Sequence, residues 1–155
     1  RHAASENPAH PLPHLNLGLL YAELGYADAA IQAFETSFQL ENNAVVAYNL
    51  AVLYSDTEPA RSTKLAKQAY ELQPENPKYL YTYAFYLLQN GESKAAITVL
   101  ENAIQSNIIS FDIYYLLGSI YKNSGETTKF QSLYKNASRN MDLSENEREF
   151  FRNEW

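Results

Sequence analysis

Apolar residues in the stretch 77–107, PKYLYTYAFYLLQNGESKAAITVLENAIQSN, recur at the three-and-four spacing of a helix face, and the run breaks once, at Asn90-Gly91-Glu92. Leu80, Tyr83, Ala84 and Leu87 form the first stripe; Ala96, Leu100, Ala103 and Ile104 form the second. Pro77 suits a first helical turn, where a missing N–H costs nothing, and Gly91 suits the left-handed residue that ends a helix. The pattern predicts two amphipathic helices folded back on each other, brought close by the small residues Ala84, Ala96 and Ala103. One hairpin cannot bury two such stripes, so neighbours of the same kind are required.

The chain supplies them. A small residue followed three positions later by Tyr or Leu stands at Gly18, Ala51, Ala84 and Gly118, in steps of 33, 33 and 34 residues. The second helices repeat in phase: Ala30, Phe34 and Ser37; Ser62, Ala66 and Ala69; Ala96, Leu100 and Ala103; Phe130, Tyr134 and Ala137. Helices are predicted near 13–24, 27–40, 45–56, 59–72, 77–90, 93–106, 111–124, 127–140 and 145–154, with no strand. Residues 1–10 read as an extended lead-in, and His2, His10 and His14 as solvent-exposed linker histidines rather than metal ligands. Ser144 and Glu147 stand at capping-box spacing before the last helix, which is expected to lay Phe150, Phe151 and Trp155 on Phe130, Leu133 or Tyr134.

This repeat resembles the tetratricopeptide repeat family, whose pattern sets an aromatic residue, Leu, Gly and Tyr on one helix and Ala, an aromatic residue and Ala on the next. The resemblance covers residues 11 to about 143 and implies an all-α, right-handed α-solenoid of four helix-turn-helix units, 11–43, 44–76, 77–110 and 111–143, with 144–155 as a C-terminal capping helix. Departures are local. The family's Trp position holds His14, Ala47, Leu80 and Tyr114, the second unit turns through Asp56-Thr57-Glu58-Pro59, and Phe130 replaces a small residue, which questions how closely the fourth hairpin packs.

Composition narrows function mainly by exclusion. Net charge is −6 with no concentration of Lys or Arg, so nucleic acid and anionic lipid are poor partners. Zero cysteines remove disulfides, thiol catalysis and zinc ribbons. No apolar run reaches membrane-spanning length, which predicts a soluble chain, cytoplasmic or periplasmic, without membrane insertion; a start at Arg1 reads as a mature form or a segment of something longer. No nucleophile, acid–base pair, phosphate loop, metal set or cofactor motif is present, and Glu145, Glu147 and Glu149 read as a solvated helix face. Catalytic, metal and cofactor residues are therefore expected to be none.

In the family the first helices line a concave face. By that resemblance the lining residues here are Leu15, Leu19, Tyr48, Asn49, Val52, Lys78, Tyr81, Phe85 and Tyr115, with Ser119 at the last equivalent place. Some family members hold a partner's terminal carboxylates with a Lys/Asn clamp; of the matching places Leu15, Leu19, Asn49, Lys78 and Thr82, only Asn49 and Lys78 agree. The expected function is a non-catalytic scaffold whose aromatic groove binds a peptide or amphipathic helix of another protein, the chain acting as a monomer. Alternatives are a self-associating spacer that pairs through Phe150, Phe151 and Trp155, or an interaction domain attached to a longer enzyme or cytochrome.

Overall fold

Each apolar stripe becomes a helix. The computed structural model describes residues 9–155, so residues 1–8 of the expected lead-in, His2 among them, lie outside the described residues. Among the described residues there are nine α-helices and no strand: α1 (Pro11–Glu23), α2 (Ala27–Leu40), α3 (Ala44–Tyr54), α4 (Pro59–Leu72), α5 (Pro77–Gln89), α6 (Ser93–Gln105), α7 (Phe111–Asn123), α8 (Thr127–Ala137) and α9 (Glu145–Glu154). Successive pairs from α1 to α8 pack as four hairpins. They fall into two compact units, one ending at Pro74 and the other spanning Glu75–Trp155. Within the first, α2 also packs on α3; within the second, α7 packs on both α5 and α6, and α9 packs on α8.

Local chemistry sets the helix ends. Pro11, Pro59 and Pro77 each open a helix where no backbone donor is needed. Asn43 accepts from the Val45 N–H at 2.8 Å, and Asn76 accepts from the Lys78 N–H at 3.1 Å, satisfying donors that a helix start leaves free. His10 corrects the linker reading: it is the N-cap of α1, its Nδ1 accepting from Leu12 N–H at 3.3 Å, and His14 is half-buried on α1 itself. Gly91 has φ 80°, and past it Glu92 N–H closes on the Leu87 carbonyl at 2.8 Å. After α6 the same left-handed position is taken by Asn107, at φ 58°. Two helices stop short of expectation. Glu58 N–H folds back on the Tyr54 carbonyl at 2.8 Å and ends α3, while beyond α8 the Asn140 side chain accepts from Asp142 N–H at 2.9 Å, a turn that competes with further helix.

The hairpins close over their small residues. A Cβ placed on Gly18 would lie 2.5 Å from the Phe34 ring, and one on Gly118 would lie 2.2 Å from the Tyr134 ring. At the equivalent register Ala51 stands with Ala66 and Ala84 with Leu100, all four buried. The fourth hairpin is therefore close despite Phe130, which is buried with its ring 4.5 Å from that of Tyr134. Two serines add bonds between paired helices: Ser37 Oγ donates to the Pro11 carbonyl at 3.0 Å and Ser62 Oγ to the Ala51 carbonyl at 2.7 Å.

Polar ties join the hairpins within each unit. Tyr54 of α3 donates to Glu35 of α2 at 3.0 Å, and Arg61 of α4 pairs with the same carboxylate at 2.5 Å while lying 4.2 Å over the Tyr54 ring. In the second unit Tyr121 donates to Glu101, and Lys129, paired with Glu126 at 2.6 Å, lies 5.3 Å over the Tyr121 ring. The tail carries the full Ser144/Glu147 capping box. Phe151 is fully buried, 4.8 Å from Tyr134 and 5.1 Å from Phe111 between ring centres, and Phe150 lies 6.5 Å from Tyr134. Trp155 departs from expectation: it stays 45% exposed with the Lys135 ammonium 5.7 Å from its ring.

Gly118→Ala tests the close approach. Helix propensity alone favours Ala by about 1 kcal/mol, but overpacking against the Tyr134 ring costs about 1–3 kcal/mol, so a net fall in Tm is expected and Tyr134→Leu in the same chain should recover part of it. A raised Tm for the single variant removes Gly118 as the limit on hairpin spacing.

Candidate functional site

The lining residues predicted from sequence divide between the two units. In the first, Leu15 and Leu19 sit one turn apart on α1, half-buried and 39% exposed. Tyr48, Asn49 and Val52 share a face of α3; Val52 is exposed and the other two are half-buried. Asn49 commits one of its two amide N–H groups to its own helix, Nδ2 donating to the Val45 carbonyl one turn back at 2.7 Å. In the second unit Lys78 is exposed at the start of α5, Tyr81 and Phe85 are half-buried on the same face, and Tyr115 of α7 is 47% exposed. Thr82, the remaining clamp position, is buried, its hydroxyl donating to the Lys78 carbonyl at 2.8 Å. At the clamp positions Asn49 and Thr82 thus bond to their own helices, while Lys78 stays exposed.

Because α5 and α7 pack together, the second unit gathers these rings on adjacent helices. Each helix stacks two rings one turn apart: Tyr81 on Phe85, centroids 6.0 Å apart and planes 16° from parallel, and Phe111 on Tyr115 at 5.8 Å and 14°. Such offset pairs are worth about 0.5–1.5 kcal/mol beyond area burial and hold the rings in one orientation. Phe150 of α9 closes the row, 5.9 Å from Tyr115 and 5.2 Å from Phe111. Beside it Tyr115, Ser119, Lys122, Phe130, Tyr134 and Phe150 wall a recess of about 320 Å³. Phe111 and Asp112 were not singled out by the sequence reading, and Phe150, expected on the last hairpin as part of the cap, was not expected beside the lining rings. The first two carry a legible signal, since Phe111 precedes Tyr115 by four residues as Tyr81 precedes Phe85; Phe150 comes from a segment with no repeat register.

Burial governs the phenols. Tyr81 is shifted up from the ordinary tyrosine range by burial first, then by the nearby Asp112 carboxylate and Tyr115. Burial also raises Tyr134, to about 12, with smaller effects from Tyr115 and Glu154. Tyr54 and Tyr121 are raised by burial and then by their hydrogen bonds to Glu35 and Glu101. The neutral phenol is the stable form of all four in the fold, and Tyr54 and Tyr121 also donate.

A family model for the tetratricopeptide repeat matches residues 13–44 and 111–139, the first and fourth hairpins. These are the two whose small residue is glycine, Gly18 and Gly118. No curated protein matches the chain. Among solved structures, a crystal structure of MamA is similar at TM-score 0.79 and 19% identity, over 99% of this chain and 86% of that one. A further crystal structure of MamA protein matches at TM-score 0.70 and 26% identity, over 81% and 69%. The crystal structure of YrrB, a tetratricopeptide-repeat protein with an unusual peptide-binding site, matches at TM-score 0.74 and 19% identity, over 86% and 70%. The likeness is one of fold: an all-α helical-repeat solenoid.

The raised phenols make a prediction about alkaline stability. Folded Tyr54, Tyr81, Tyr121 and Tyr134 hold their protons above the unfolded value near 10. Their contribution to stability is complete below about pH 10 and is lost as pH rises from there through about 12 and beyond. Absorbance titration of the 13 tyrosines should show a group ionising near pH 10 and a late group that ionises together with loss of helical circular dichroism. A single step near pH 10 with the helices intact would contradict the burial argument.

Proposed function

We propose that this chain, whose first and fourth hairpins match the tetratricopeptide-repeat model, is a non-catalytic interaction scaffold, binding a peptide or amphipathic helix of a partner protein on the first-helix faces of its repeats. The observation that carries this reading is the α5–α7 row in the second unit, where Tyr81, Phe85, Phe111 and Tyr115 are held rigidly by stacking and yet remain partly open to solvent. Rigid rings with a polar rim are what a protein partner can cover at little entropic cost. Leu15, Leu19, Tyr48, Asn49 and Val52 form the corresponding surface of the first unit, and Lys78 supplies a cation at the head of α5. In this reading α9 is a cap on the last hairpin, and the chain works as a monomer. Two of the three rings available for self-pairing, Phe150 and Phe151, are already spent within the chain. YrrB, similar in fold, is described as having a peptide-binding site, which agrees with the class of function.

Light scattering is expected to give the mass of one chain; a concentration-dependent dimer that Trp155→Ala abolishes would favour the self-associating spacer. For the binding face, a partner recovered by crosslinking in the source cells should bind the Tyr81→Ala, Tyr115→Ala double variant at least about tenfold more weakly, the loss expected from truncating interface tyrosines. Circular dichroism of the variant must match the parent. Undiminished binding by a folded double variant places the partner elsewhere.

A further inference from the structure

Resting on that reading of the α5–α7 face, we propose that its ligand is anchored by a single arginine, whose guanidinium lies against the Tyr115 and Tyr81 rings and pairs with the Asp112 carboxylate.

The chain shows how it satisfies this set of groups elsewhere. In the first unit a tyrosine ring and a carboxylate, Tyr54 and Glu35, are completed by Arg61, which both pairs with the acid and covers the ring. In the second unit Tyr121 donates to Glu101, and Lys129 lies over the Tyr121 ring while pairing with a second carboxylate, Glu126. On the α5–α7 face the tyrosines and the carboxylate recur, with Lys78 at the head of α5, but among the described residues no cation forms an ion pair with the carboxylate. Asp112 is exposed and forms no ion pair among the described residues. It stands on the side of α7 that carries Tyr115 three residues on and Ser119 seven on, so carboxylate, ring and hydroxyl share one helical face. It also lies close enough to Tyr81 across the helix pair to raise that phenol, second only to burial. An acid in a first turn stabilises its own helix dipole, but that role fixes neither its side of the helix nor the rings beside it.

The chemistry selects among cations. A guanidinium is planar, stacks on an aromatic face and offers a fork of donors to one carboxylate, whereas an ammonium is a compact and more strongly hydrated point charge. Lys78 at the start of the same α5 face opposes a second positive charge, so one arginine among apolar neighbours fits and a basic run does not. The net charge of −6 draws such a ligand in. Beside Tyr115 the recess walled by Phe130, Tyr134 and Phe150 can take an apolar side chain next to the arginine.

The test uses the intact, isotope-labelled chain and four capped peptides, Ala-Leu-Xaa-Leu-Ala with Xaa as Arg, Lys, Gln or Glu, followed through backbone amide resonances. The Arg peptide should saturably move the signals of residues 78–85 and 111–119 and bind about tenfold more tightly than the Gln peptide, the combined worth of an exposed ion pair and a cation–ring contact. Lys should fall between them and Glu should be weakest. Asp112→Asn should remove the ion-pair share, bringing the Arg peptide to a value between its parent affinity and that of the Gln peptide, and leave the Gln peptide unchanged; an Arg affinity that the substitution does not change would overturn the pairing with Asp112. Equal Arg and Gln affinities at these signals would overturn the arginine anchor while keeping the groove. An Arg peptide that moves no signal of α5 or α7 would overturn the anchor as well, and the groove then stands or falls on the double tyrosine variant with its recovered partner.

Discussion

The closeness of the two helices in each hairpin is the constraint from which the remaining geometry follows. Where Gly18 and Gly118 leave no Cβ, the rings of Phe34 and Tyr134 occupy the space, at distances that a single methyl group would violate. The middle hairpins solve the same problem with a methyl on the first helix and Ala66 or Leu100 opposite. Packed interiors tolerate neither a void nor an overlap of one methylene, so each hairpin trades volume across its seam. The exchange is why Phe130 fits: the ring it adds lies on Tyr134, and the approach is made one turn away at Gly118.

With the hairpins held close, the second unit brings α5 and α7 side by side, and the rings that do not enter the core form a row. Stacking within each helix fixes their planes, and Phe150 from α9 closes one end. The polar ties between hairpins use the same residue types differently. Tyr54 and Tyr121 are buried donors to carboxylates whose charge a basic side chain balances, so they act as joints between repeats. Tyr81 and Tyr115 remain partly open to solvent, and this difference in exposure separates them from the tyrosines that hold the repeats.

The repeat was legible because its period is enforced by burial: Leu80, Ala84, Leu100 and Ala103 must face a neighbour, and that requirement writes itself into spacing. Pro77, Gly91 and the Ser144/Glu147 pair were legible because each answers a local backbone need that does not depend on the rest of the chain. The end of α8 was not, since the Asn140 side-chain turn that stops it is in register with helix-compatible residues. His10 as a cap was also hidden, because histidine is an uncommon acceptor in that place.

By itself, then, the sequence determined the helices, their pairing and the family pattern, all of which follow from periodicities of three to four and of about 34 residues. Only the tertiary structure decided which tyrosines are joints and which are open, that Asn49 and Thr82 bond to their own helices, and that Phe150 closes on Tyr115 and Phe111. It also decided that Asp112, near Tyr81, forms no ion pair among the described residues. The physical reason is that a period records which residues must avoid water, whereas hydrogen bonds, ring stacking and charge pairing depend on side chains from distant positions meeting at a few ångströms, and no local pattern encodes that distance.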